Sequence, residues 1–172
     1  MRALLCLLML LTAVAQAQAV AIAEVVIDGL PAGLMADTVA AQLANAKGGA
    51  FDRAKEKADR ELIVMQLHEL GYLDPDVKAA NTFVTGGMRL TWAVKPRNLI
   101  TLETVQVPGL GKDATQALLD ELKLDKETPC TRATSERVAE AVATRLAVNP
   151  LFIDAVWKIG GSRKTATLVL TH

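Results

Sequence analysis

Apolar residues in this chain recur with two periods, one near two residues and one near 3.6, and the order of the two is the same in each half. Ala23, Val25 and Ile27 alternate with Glu24 and Val26, which predicts a strand over 21–27. Asp28-Gly29, Pro31 and Gly33 break it. Val39, Leu43 and Ala46 then share one side of an Ala-rich helix expected from Met35 to Ala46, which Gly48-Gly49 ends. Asp52 is placed to cap a longer helix, with Ala54, Ala58, Leu62, Met65 and Leu70 spaced for burial and Arg53, Lys57, Arg60 and Glu61 facing water. Gly71 closes that helix. Two strands follow over 77–84 and 88–94, joined through Gly86-Gly87 as a hairpin. In the second of them Met88, Leu90, Trp92 and Val94 alternate cleanly with Arg89, Thr91 and Ala93.

After a short linker at 96–99, the order repeats. A strand is expected over 100–107, a helix over 113–122, and a second helix capped by Thr131 or Thr134 that turns Val138, Val142 and Leu146 inward. Asn149-Pro150 stops this helix, and strands over 152–158 and 165–171 form a hairpin around Gly160-Gly161. Sliding one half over the other sets Phe51 on Cys130, Arg53 on Arg132, Glu61 on Glu140, Leu67 on Leu146 and Val77 on Val156. The expected fold class is therefore α+β: two tandem β-α-α-β-β units, at 21–95 and 100–172, each a three-stranded sheet covered on one face by two helices.

Composition narrows the function. Nineteen basic residues balance 19 acidic ones, and only 3% of the 172 residues are aromatic, so neither charge nor stacking surface favours nucleic acid. Met1 to about Ala17 reads as a cleavable signal peptide: Arg2 precedes a Leu-rich run, and Ala15-Gln16-Ala17 or Ala17-Gln18-Ala19 supplies the cleavage site. The protein is expected to be exported, and no later segment is expected to span a membrane. The remaining cysteine, Cys130, falls on Phe51 of the other half and reads as a small buried hydrophobe. Trp92 and Trp157 read as packing residues.

Candidate chemistry is sparse. His68 lies among helix charges, His172 ends the chain, and Ser135 and Ser162 lack a nucleophile-elbow context. Asp74 and Asp76 flank Pro75 and read as turn residues. No grouping has metal-ligand spacing, and the glycine pairs lack a phosphate-loop lysine, so no enzyme activity, cofactor or metal is expected.

The residues at the turns carry a resemblance. Ile27-Asp28-Gly29, Gly49 with Phe51, Gly71-Tyr72 with Val77, and Pro150-Leu151-Phe152 with Val156 resemble the polypeptide-transport-associated (POTRA) domain, in tandem and without an outer-membrane β-barrel. That resemblance implies a mixed sheet with the last strand in the middle and the hairpin's first strand at an edge. It implies a non-catalytic periplasmic adaptor in outer-membrane protein assembly or secretion, whose partner is a polypeptide client or a β-barrel protein. Membrane association would then be peripheral, through that partner. The implied binding edges are Val77, Lys78, Ala79, Ala80, Asn81, Thr82 and Phe83 in the first unit, and Phe152, Asp154, Val156 and Lys158 in the second. An extended segment would add there as a further strand. The alternative is a structural subunit of an envelope complex that binds through its helix faces.

Overall fold

The computed structural model describes residues 20–171, and the expected signal peptide lies outside them. The first unit contains β1 (Ile22–Asp28), α1 (Ala36–Ala40), α2 (Arg53–Glu69), β2 (Asp76–Val84) and β3 (Gly87–Lys95). The second contains β4 (Thr101–Gln106), α3 (Lys112–Glu121), α4 (Arg132–Leu146), a 3-10 turn (Pro150–Phe152), β5 (Asp154–Ile159) and β6 (Thr165–Thr171). The strand orders are β1-β3-β2 and β4-β6-β5. In each sheet the last strand lies in the middle, parallel to the first and antiparallel to the second. The tandem α+β arrangement is thus as the periodicity predicts.

Each sheet buries one face under its helices. In the first unit Ile27, Leu90, Trp92 and Val94 meet Val39, Leu43, Ile63 and Leu67. In the second, Leu102, Val105, Leu168 and Leu170 meet Leu118, Val138 and Val142 around Cys130. A bulge between Ile22 and Glu24 brings Ile22, in place of the expected Ala23, to the buried side. The cap on α2 is Asp52, whose carboxylate accepts from the Ala54 N–H at 2.8 Å. On α4 the cap is Thr131, whose hydroxyl accepts from the Thr134 N–H at 3.1 Å.

Three local expectations are overturned. The helix expected to run to Ala46 stops at Ala40. The chain there turns so that the N–H groups of Ala44 and Asn45 donate to Asp59 of α2, at 2.6 and 3.1 Å. Second, the face α2 buries is Asp59, Ile63 and Leu67, while Ala54, Ala58 and Met65 are exposed. Asp59 is only 2% exposed and Asn45 fully buried. The Asn45 amide donates to Asp59 and to the Asp52 carbonyl, and its oxygen accepts from the Asp52 N–H. An acidic residue takes an inward position because both of its carboxylate oxygens accept hydrogen bonds there, three in all.

Third, the sliding register between the halves fails at the hairpin. Val77 pairs with the buried Val94, but the residue paired with the buried Leu170 is Ala155, so Val156 points to the outer face and is exposed. α4 has 15 residues where α2 has 17, and the connection to β5, which contains the 3-10 turn, is only one residue longer than that to β2, so the strand arrives one residue early. In a strand, a slip of one residue moves every side chain to the other face. Phe152, expected in the strand, belongs to that turn and is 73% exposed.

Candidate protein-interaction edges and the joint between units

β2 and β5 are edge strands. The other edges, β1 and β4, are partly closed by the chain itself. Ile22 donates to the Gly49 carbonyl and Phe51 to that of Val20, both at 2.8 Å, and Leu102 donates to Thr128 and Cys130 to Ile100, both at 2.9 Å. Among the described residues, no backbone group outside its own sheet bonds to β2 or β5. Along β2, Lys78, Ala80 and Thr82 are exposed on the outer face. Val77 and Ala79 pack toward the helices, and Asn81 and Phe83 continue the same face into solvent, Phe83 being 78% exposed. Along β5, Asp154, Val156 and Lys158 lie on the outer face, while Ala155 and Trp157 pack on the second core. Lys78 pairs with Asp76 at 3.3 Å, leaving a charged margin beside otherwise open backbone. Of the predicted edge residues, all but Phe152 stand in the two edge strands.

The two units meet at the connection after α2. Gly71 is buried and left-handed (φ 91°), and its carbonyl accepts from the Ile100 N–H at 3.0 Å. Leu73 packs on the core of the second unit. Asp74 accepts from Arg97 of the linker and Arg163 of the second hairpin loop, each at 2.8 Å. The Asn98 amide donates to the Arg163 carbonyl at 3.2 Å, and Arg132 of α4 lies 3.8 Å from Glu69 of α2. Sequence reasoning read Asp74 as a turn residue.

The hydrogen bond from Arg97, aided by the charge of Arg163, holds the Asp74 carboxyl below the usual aspartate range. A carboxyl lowered in the folded state stabilises above its unfolded pKa, and loses that contribution as pH falls through the folded value. The joint should therefore be as tight at about pH 5 as at neutrality, and loosen only in acid below the ordinary aspartate pKa of about 3.9. Small-angle scattering across that range reads the change as a wider spread of inter-unit distances, and Asp74→Ala should show it at neutral pH.

Beside the joint, His68, Leu73, Arg132, Ser135 and Trp157 line a shallow cleft of about 260 Å³. Burial lowers the His68 pKa, which keeps the ring neutral near pH 7. The Trp157 indole N–H is buried without a partner, as is that of Trp92. Cys130 is fully buried, and burial pushes its thiol up to about 12, so it is not a nucleophile at neutral pH. Among the described residues, no helix is long and apolar enough to cross a membrane, and no group of three or more His, Cys, Asp or Glu side chains is placed to hold a metal.

No protein-family model matches the chain, and no curated protein sequence does. Solved structures do match it. Against the three-domain fragment POTRA1-3 of the periplasmic domain of Omp85 from Anabaena, the TM-score is 0.60 at 17% identity, covering 88% of this chain and 60% of that one. Against POTRA1-2 of the same protein it is 0.56 at 16% identity, covering 88% and 94%. Against POTRA3-5 of BamA from Haemophilus influenzae it is 0.52 at 15% identity, and this chain spans 65% of that fragment. The order β-α-α-β-β, the central last strand and these superpositions agree: the chain is built of two tandem units with the POTRA fold.

Proposed function

We propose that this chain is an exported, non-catalytic adaptor of the periplasm that binds polypeptide in outer-membrane protein assembly or secretion. The observation that carries the reading is the pair of open borders on β2 and β5, in a chain whose fold is that of the periplasmic domain of Omp85. An extended client segment, or a strand of a barrel partner, lies along Val77, Lys78, Ala79, Ala80, Asn81, Thr82 and Phe83, or along Asp154, Val156 and Lys158. Backbone hydrogen bonds at about 0.5–1.5 kcal/mol each, over about four bonds, are offset by the cost of ordering the added strand. Binding is then micromolar or weaker and tolerant of sequence, which suits passing a client on.

Hydrogen exchange tests the reading without disturbing the fold. On addition of an unfolded outer-membrane barrel protein, amides within 77–84 or 154–159 should gain protection. Ala80→Pro should weaken binding at the first edge by about tenfold or more while the thermal transition is kept. Protection confined to α2 or α4, with binding unchanged by proline, would favour a structural subunit held through its helices and overturn the strand-addition reading.

A further inference from the structure

Each unit has two poles. At the entry pole, the start of the first strand lies beside the hairpin turn, because Ile22 pairs with Met88 and Thr101 with Thr165. At the exit pole, the helix-to-strand connection lies beside the end of the last strand, because Asp76 pairs with Lys95 and Asp154 with Thr171. The joint inside the chain is the exit pole of the first unit seated on the entry pole of the second. It is held by charge, Asp74 against Arg97 and Arg163, around the apolar Leu73.

The two poles left over are of opposite kind to each other, and both differ from the joint in the same way. The entry pole of the first unit has the uncharged turn Thr85-Gly86 where the second has Arg163 and Lys164, and Phe83 stands at its rim 78% exposed. The exit pole of the second unit has an uncharged connection, Val148 to Ile153, where the first has Asp74. It exposes Leu151 at 88% and Phe152 at 73%. Ala147 holds the left-handed conformation there that Gly71 holds in the joint. Where the internal joint sets an acid against two bases, the free poles set apolar groups on both sides.

We propose that this chain associates head to tail with a second copy of itself, the Leu151-Phe152 connection of one seating on the Phe83 end of the next. The contact joins two different surfaces, so it propagates into open oligomers unless the rotation closes a ring. It takes up only the Phe83 end of β2, leaves the rest of the β2 border and the β5 border free, and does not depend on strand addition.

Sedimentation velocity on the full chain, purified as the expressing cell processes it, should show a mass that rises with concentration. Leu151→Ser/Phe152→Ser removes one half of the contact and Phe83→Ser the other, and each variant alone should associate at least about tenfold more weakly. Mixed, the two should recover a one-to-one dimer and nothing larger, because each keeps the half the other lacks. All three side chains are exposed, and circular dichroism checks that the folds are intact. A parent chain that stays monomeric at every concentration, a dimer that survives in both variants alone, or a mixture that forms no dimer would each overturn the proposal.

Discussion

Asp59→Ala will melt the first unit well before the second. The side chain removed is the acceptor for three donors: the N–H groups of Ala44 and Asn45, and the Asn45 amide at 2.8 Å. Two of the three donors belong to Asn45, which is fully buried, and Asp59 is nearly so, so these have no water to turn to. A buried donor left without a partner costs about 1–3 kcal/mol, so the loss is about 3 kcal/mol or more. For a unit of this size that is about 15 °C in Tm. Calorimetry should resolve two transitions where the parent shows closer ones, with the upper unchanged. Asp59→Asn keeps the volume but turns an amide N–H toward a donor, so its loss should be intermediate. A melting curve unmoved by Asp59→Ala would mean that the segment after α1 is not anchored by this carboxylate.

The second large effect is expected at Gly71. Its φ of 91° disfavours any residue with a Cβ, and a Cβ built there would stand 3.1 Å from Leu99 Cδ1 and 3.4 Å from Pro129 Cβ of the second unit. Gly71→Ala therefore carries a backbone cost of about 1 kcal/mol and presses on the neighbouring unit as well. The total should be about 1–3 kcal/mol, with the units separating enough to lose the bond from Ile100. Gly48, with φ of 84° and open space around it, provides the control: Gly48→Ala carries the backbone cost without the clash. Equal effects at the two positions would show that the joint contributes nothing at Gly71.

These two positions mark where sequence reading succeeds and stops. Element order, the hairpins, the buried alternation of Met88, Leu90, Trp92 and Val94, and the cap at Asp52 follow from periodicity and local hydrogen bonding, which need no tertiary knowledge. The same signals narrow the cap of α4 to Thr131 or Thr134, of which the structure uses Thr131. The inward face of α2 does not. By hydrophobicity Asp59 belongs outside, and only its partners from the segment at Ala44 and Asn45, 15 and 14 residues away, explain its place. The register of β5 was misread for a related reason. α4 ends two residues sooner than α2, and the connection through the 3-10 turn at Pro150–Phe152 restores only one. Such a change in length is silent in the apolar pattern while it inverts the strand's faces. Of the candidate edges, β2 and most of β5 were legible, because the resemblance supplied the strand order that alternation alone leaves open. Asp74, Arg97 and Arg163 were not, since a contact between units has no period.

The central place of β3 and β6 carries a consequence for biogenesis. A chain that emerges amino end first presents Ile27 and Val77 long before Trp92 and Val94, the residues that lie between them, have appeared. Neither outer strand has a neighbour until then, so each unit must wait, unzipped, for its own final strand. Synthesis from the amino end thus delivers a lone, completed leading unit whose Leu73 is still bare, and only the arrival of the trailing one covers it.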